Sequence, residues 1–121
     1  MPELVTFAER QEFNSPAVTD YLRGELAQFD LGKYSSLVLG CTHFNYFKDT
    51  FREILPANVS FVDGNGGTVR ELIRRLKERN LLENNSPSVE YYYSGRRVQD
   101  KDELHRLESY LQRLGRMYAL T

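Results

Sequence analysis

A cysteine and a histidine stand two residues apart in the segment Gly40-Cys41-Thr42-His43, directly after a short apolar run. A thiolate can act as a nucleophile or as a base, and a neighbouring imidazole can carry protons to and from it. The pattern alone leaves two interpretations about equally open. Either Cys41 and His43 form a chemical pair, or Cys41 is a small buried apolar residue and His43 an ordinary surface residue.

Metal binding is a weaker interpretation of the same two residues. Cys41 is the only cysteine of the chain, so neither an internal disulfide nor a cysteine zinc cluster is available. Two ligands do not complete a tetrahedral zinc site, and the second histidine, His105, falls on a distant predicted helix. The sequence therefore predicts no metal site.

The elements that must position the pair alternate between helix and strand. The apolar run Ser36–Gly40 is typical of a strand covered on both faces, and Cys41 follows its carboxyl end, where the ligands of open α/β sheets gather. Two further strands are predicted at Val59–Val62 and Val89–Tyr93, the last after a polar loop at Asn84–Ser86. Four helices are predicted: from Pro16, capped by Ser15, to Leu31-Gly32; from about Tyr46 to Leu55; after a capping box of Thr68 and Glu71; and after a second box of Asp100 and Glu103.

This order predicts an α/β fold of three layers with a mainly parallel sheet. Three strands are few for such a sheet, so we expect the fold to be incomplete. The segment Asp63–Thr68 contains three glycines between a strand and a helix, which superficially suggests a phosphate-binding loop. It lacks the Walker lysine and the dinucleotide fingerprint, so a crossing that needs unusual backbone angles, or a hinge, is the preferred interpretation.

Composition limits the partners of the chain. Its 16 basic and 17 acidic residues give a net charge of −1, which is no electrostatic footprint for nucleic acid or an anionic membrane. Without a basic groove, Tyr91-Tyr92-Tyr93 are expected to pack on helices rather than stack on bases. No apolar run approaches the roughly 20 residues that span a bilayer. The N-terminus lacks the pattern of a signal peptide, so a cytoplasmic location is expected.

Four segments, in order, resemble those of one enzyme family. Ser36-Leu37-Val38-Leu39-Gly40-Cys41-Thr42-His43 resembles the second active-site motif of the glutamate racemases, bacterial enzymes that make D-glutamate for peptidoglycan. Pro2–Glu9 is similar to the family segment that ends in an active-site glutamate. Val59–Asp63 is similar to the strand that follows, and Tyr91–Gly95 to the late aromatic strand ending in Thr/Ser-Gly.

The resemblance implies a racemase that needs no cofactor and acts on glutamate with two cysteines on opposite faces of the α-carbon. It implies that Cys41 is the base for L-glutamate and the acid in the reverse direction. Thr42 and His43 would bind the substrate, and His43 together with Glu9 would tune proton transfer at Cys41.

Two departures from the family pattern matter. Phe44-Asn45 replaces a common Tyr-Pro, and the chain has about half the expected length, without the Asp-Ser pair, the glycine-rich loop and the Cys-Asn-Thr motif of the first half. The resemblance therefore implies a C-terminal portion. Residues 1–65 would belong to the second racemase lobe and residues 66–121 would close the first.

Two further expectations follow from this incompleteness, and two alternatives to a glutamate racemase stay open. The chain alone should be inactive, and strands stripped of neighbours should favour a homo-oligomer. A related aspartate racemase is an alternative, although His43 favours glutamate. A binding or structural module that has lost catalysis is another.

Overall fold

A computed structural model describes residues 1–83 and 86–120 of the chain as a mixture of helices and short strands. The first two residues of the polar loop predicted at Asn84–Ser86 lie outside the described residues. The chain divides into two units, Met1–Asp63 with residues 110–120, and Gly64–Ser109. The assignment of residues 1–65 and 66–121 to two racemase lobes stays a prediction.

The first unit contains a parallel strand pair joined by a helical crossover, and this confirms the predicted α/β class. Strand β1 pairs with β2 in parallel, with Ser36 opposite Ser60 and Val38 opposite Val62. A parallel pair cannot be joined by a tight turn and needs such a crossover. The elements of this unit are α1 (Glu3–Glu9), α2 (Pro16–Leu26), β1 (Ser36–Val38), α3 (Lys48–Ile54) and β2 (Ser60–Val62), with 3-10 turns at Leu31–Lys33 and Thr42–Phe47. We call Thr42–Phe47 the site turn.

Helix α2 begins as predicted. The Ser15 hydroxyl accepts the Val18 N–H at 3.4 Å, and Pro16 occupies the first helical position. The helix ends at Leu26, five residues before the predicted stop, because the Leu31–Lys33 turn begins a new direction. Helix α1 was not predicted: it has seven residues and no side-chain cap, and burial of Leu4 and Ala8 stabilises it instead.

The core of the first unit is apolar and joins all three of its complete helices to the two strands. The burial of Phe47 and Phe51 is nearly complete, at 0% and 1% exposure. Burying a Phe side chain contributes on the order of 2–3 kcal/mol. The other buried members are Leu4, Ala8, Val18, Leu22, Leu26, Leu39, Leu55 and Val59.

The expectation that strand Ser36–Gly40 is covered on both faces is wrong. Leu37 and Phe61 pack against the core, whereas Val38 and Val62 on the other face are 68% and 46% exposed. Alternate residues of a strand point to opposite faces, and only one face of this two-stranded sheet is packed against the core.

The second unit contains α4 (Asn65–Glu78) and a hairpin of β3 (Tyr92–Tyr93) and β4 (Arg96–Arg97). It also contains the first part of α5 (Lys101–Tyr118), whose residues from Tyr110 onward belong to the first unit. Ser94 and Gly95 both have positive φ, 47° and 83°, as the two-residue turn of a hairpin requires. The single predicted strand Val89–Tyr93 is thus corrected to a shorter, antiparallel pair. Tyr92 and Tyr93 are 58% and 67% exposed, so the prediction that they pack on helices is wrong.

The capping box predicted for α4 is wrong. The helix begins at Asn65, so Thr68 already lies within it and donates its hydroxyl to the Gly64 carbonyl at 2.9 Å. Glu71 instead forms ion pairs with Arg74 and Arg75 on the exposed helix surface. The glycines of Asp63–Thr68 form the helix start with negative φ, and the expected unusual backbone angles are not found there.

The box predicted for α5 is half right. The Asp100 carboxylate accepts the N–H groups of Asp102 and Glu103 at 3.1 and 2.9 Å, which caps the helix. The Glu103 carboxylate does not return to the Asp100 backbone but contacts Arg96 at 3.2 Å. Glu103 therefore pairs with the Arg96 side chain instead of capping the Asp100 N–H.

Replacement of Phe51 with Ala tests the assigned core. Because its ring is almost fully buried, we expect the free energy of unfolding to fall by about 3–5 kcal/mol. Phe29→Ala, at a ring that is 46% exposed, should cost about 1 kcal/mol or less. Urea unfolding followed by circular dichroism measures both, and equal losses would contradict this core.

Candidate active site

The site segment leaves the carboxyl end of β1. The Leu39 N–H donates to the Val62 carbonyl at 2.8 Å, which extends the pairing with β2 by one residue. The Leu39 side chain is buried in the core, so the chain is anchored directly before Gly40 and Cys41. Cys41 consequently lies at the carboxyl end of β1 in the parallel pair, as the sequence predicted.

The site turn then carries the histidine. Its first bend is closed by the Phe44 N–H donating to the Cys41 carbonyl at 3.1 Å. The buried side chains of Asn45 and Phe47 hold the turn against the core. The helix predicted from about Tyr46 therefore begins at Lys48, and the residues before it adopt the tighter 3-10 geometry.

Cys41, His43 and Glu9 form one chain of contacts. The Cys41 Sγ lies 3.7 Å from His43 Nδ1, and His43 Nε2 lies 3.4 Å from a Glu9 carboxylate oxygen. Glu9 is the last residue of α1, so the imidazole joins two segments that are distant in sequence. This arrangement can pass a proton between sulfur and Nδ1 while the carboxylate stabilises the imidazolium.

All three side chains are accessible to a small ligand. Cys41 is partly exposed rather than buried, and the side chains of His43 and Glu9 are 33% and 61% exposed. Thr42, which stands between the pair, is exposed as well, and its carbonyl accepts the Asn45 side-chain amide at 3.5 Å. The geometry therefore favours the chemical pair over the interpretation of Cys41 as a buried apolar residue.

A buried ion pair ties the site turn to the second strand, and the sequence analysis missed it. Lys48 Nζ contacts the Asp63 carboxylate at 2.9 Å, with side-chain exposures of only 7% and 16%. Lys48 begins α3 directly after the site turn, and Asp63 follows β2. The two residues are 15 positions apart, and no local spacing signals such a pair. Asp63, which the sequence placed in a glycine-rich motif, thus fixes the end of the site turn.

The phenol of Tyr46, within the site turn, is partly buried. Burial raises the pKa of Tyr46 above its usual value, and the nearby Tyr110 and Glu9 raise this pKa further. The Tyr46 phenol therefore keeps its proton at neutral pH.

Metal-ligating side chains and cavities were compared with the position of Cys41. Within residues 1–83 and 86–120, no three His, Cys, Asp or Glu side chains gather as a metal site would require. An apolar cavity of about 290 Å³ opens in the first unit between Leu26, Phe29, Tyr34 and Leu37, and Cys41 does not line it. None of the helices in these same residues is long and apolar enough to cross a bilayer.

Comparison with known proteins places these residues in a family context. The chain is 53% identical to a glutamate racemase of Campylobacter curvus and 51% identical to one of Campylobacter concisus, each over 99% of its length. It is 42% identical to a glutamate racemase of Lachnospira eligens over 97% of its length.

The chain is a homologue of glutamate racemases. It spans 45% of the length of the C. curvus relative and 46% of the other two, so it matches a portion of them. No protein-family model matches the chain, and no solved structure does. These identities confirm the resemblance to glutamate racemases that the segment around Cys41 indicated. Glutamate racemases are amino-acid isomerases.

Alkylation of Cys41 tests its contact with His43. Because Cys41 is the only cysteine, iodoacetamide adds a single mass increment at a known position. We expect the His43→Ala variant of this glutamate racemase homologue to react about threefold or more slowly near pH 7, since the Cys41 sulfur loses its contact with His43 Nδ1. Glu9→Gln should shift the rate in the same direction by less.

The matched control is His105→Ala, which removes the other, exposed histidine of the chain. It should react like the unaltered chain. A His43→Ala variant with an unchanged pH–rate profile from pH 6 to 9, measured by mass spectrometry, would contradict the proton coupling.

Proposed function

We propose that this chain supplies one of the two proton-transferring faces of a glutamate racemase active site. The observation that carries the proposal is the contact chain from Cys41 through His43 to Glu9 at the carboxyl end of β1. The identity of 53% with a glutamate racemase over almost the whole chain supports the same reaction and substrate.

In the proposed mechanism, the Cys41 thiolate removes the α-proton of L-glutamate and becomes a thiol. The electron pair left on the α-carbon is delocalised into the adjacent carboxylate, and a donor on the opposite face delivers a new proton. In the reverse direction the Cys41 thiol is the donor. The reaction as proposed uses no cofactor, because both proton transfers are made by side chains.

The neighbours of Cys41 have separate roles in this proposal. His43 takes the proton from sulfur at Nδ1 and so regenerates the thiolate, while Glu9 stabilises the imidazolium at Nε2. Thr42, exposed beside the sulfur, and the accessible edge of His43 bind the polar groups of glutamate. The proposed substrate is therefore held by the same turn that moves its proton.

The isolated chain should not racemise glutamate. A single base returns the proton to the face from which it came, and the chain has a single cysteine. Circular dichroism of L-glutamate incubated with the purified chain should match a buffer control. Racemisation that disappears in Cys41→Ala would contradict this expectation and would show that two copies pair their cysteines.

A chimera tests the function itself. This chain replaces the aligned portion of the C. curvus glutamate racemase, and we expect the chimera to interconvert L- and D-glutamate. Cys41→Ser in the chimera should lower kcat by about two orders of magnitude or more, because the serine hydroxyl is a poor base at neutral pH.

The control for the chimera is His105→Ala, which should leave kcat unchanged. A folded chimera whose activity survives Cys41→Ser would overturn the assignment and favour a module without catalysis. A kcat/KM that is higher for aspartate than for glutamate would replace the proposed substrate with aspartate.

We further propose that the chain forms a homo-oligomer through its small sheet. The sheet formed by β1 and β2 has two strands, fewer than the usual five or six. On one of its faces the apolar side chains of Val38 and Val62 are exposed. Such a surface is stabilised when another strand or a second copy covers it.

Sedimentation over a wide concentration range tests the oligomer. We expect the mean mass to rise with concentration and Val38→Lys to oppose this rise, because a lysine on the exposed face cannot be buried without cost. Val89→Lys, at a valine that is 69% exposed outside the strands, is the control. A monomer at every concentration would disprove the proposal.

A further inference from the structure

The last turns of α5 contact both segments that carry the site residues. The Tyr110 hydroxyl donates to the Ala8 carbonyl at 2.9 Å and also lies 3.3 Å from the Glu9 carbonyl. Both carbonyls belong to the final turn of α1, and the Ala8 carbonyl also accepts the Gln11 N–H at 2.9 Å. Tyr110 therefore restrains the backbone that carries the Glu9 carboxylate.

Arg113, one turn further along α5, restrains the other segment. Its Nε and Nη2 donate to the Tyr46 carbonyl at 3.0 and 2.8 Å, and Nη2 also contacts the Asp49 carboxylate at 2.6 Å. Tyr46 lies in the site turn, three residues after His43, and Asp49 lies in the first turn of α3. Arg113 thus fixes the carboxyl end of the turn that carries the imidazole.

The two anchors are joined by aromatic packing. The rings of Tyr46 and Tyr110 are 5.4 Å apart, and Phe13 contacts both at 5.5 and 6.2 Å. The Arg113 guanidinium lies over the Phe13 ring at 4.8 Å. Rings packed in this way limit independent movement of the site turn, α5 and the segment that links α1 to α2.

Arg113 is costly to place in this position. The residue is 7% exposed, and burial of a guanidinium is tolerated only when its hydrogen bonds are satisfied. The planar group can bind a carbonyl and a carboxylate at once, which an ammonium cannot do with the same geometry. Arg113 thus holds the site turn and the first turn of α3 together, a role that accounts for a buried arginine.

We propose that Tyr110 and Arg113 are positioning residues that set the contact between the Glu9 carboxylate and the His43 imidazole, and through it proton transfer at Cys41. The proposal rests on the proposed function, because it concerns the same proton path. The 3.4 Å contact joins α1 to the site turn, and α5 is hydrogen-bonded to the backbone of both.

The test uses the pH dependence of Cys41 alkylation in the full chain. The midpoint of the pH–rate profile reports the coupling to His43, whereas a change in access to the sulfur alters only the plateau at high pH. Glu9 from α1 contacts this pair directly. The other titratable or charged groups on the elements joined to it are Tyr46 in the site turn, Asp49 in α3, and Tyr110 and Arg113 in α5.

Tyr110→Phe removes only a hydroxyl, and Arg113→Lys keeps the charge but loses the bidentate geometry. We expect both to move the midpoint toward the value of His43→Ala and to slow alkylation at pH 7 about twofold or more, relative to the plateau. Combined with Glu9→Gln, Tyr110→Phe should add no further shift, because it acts through Glu9. Tyr118→Phe and Arg116→Lys, at exposed positions of the same helix, are the controls and should change nothing.

The outcomes separate the positioning role from the function. If His43→Ala and Glu9→Gln shift the midpoint but Tyr110→Phe and Arg113→Lys only lower the free energy of unfolding, the positioning role is wrong and the function stands. If His43→Ala itself leaves the midpoint unchanged, the proton coupling is wrong, and the positioning role falls with it. Should Arg113→Lys fail to fold, Tyr110→Phe still decides the question.

Discussion

The imidazole of His43 must reach two partners that belong to different segments of the chain. Its Nδ1 faces the sulfur of Cys41 on the same turn, and its Nε2 faces the carboxylate of Glu9 at the end of α1. Contacts of 3.4–3.7 Å weaken steeply when either segment moves by an ångström. The rest of the first unit restrains the position of α1 relative to the site turn.

These restraints are of two physical kinds. Apolar burial of Leu4, Ala8, Leu39 and Phe47 brings the two segments together but is not directional. Direction comes from polar contacts: the buried Lys48–Asp63 ion pair directly after the turn, and the hydrogen bonds of α5 to α1 and to the turn. Burial supplies most of the stability, and the polar contacts add directional restraints on the backbone of both segments.

The sequence predicted well whatever depends on neighbouring residues. The cap of Ser15 and Pro16 located α2, and the apolar run before Cys41 placed the thiol at the end of a strand beside His43. The sequence did not predict the elements whose formation depends on contacts between distant residues. Helix α1 is too short to form without Leu4 and Ala8 in the core, and the two-residue strand β4 exists only as the partner of β3. The start of α4 at Asn65 was missed because the glycines there were expected to form a crossing with unusual backbone angles, or a hinge, before a helix capped by Thr68.

The hydrogen bonds of α5 also determine when the site can form during synthesis of the chain. Tyr110 is 102 residues from its acceptor Ala8, and Arg113 is 67 residues from its acceptor Tyr46. Contacts of such sequence separation close late, because the entropy of the intervening loop is lost before any gain is made. While a ribosome still holds residues 110–113 in its exit tunnel, α1 and the site turn can be complete yet not aligned. The hydrogen bonds that tie α5 to α1 and to the site turn therefore form only after Arg113 has left the tunnel.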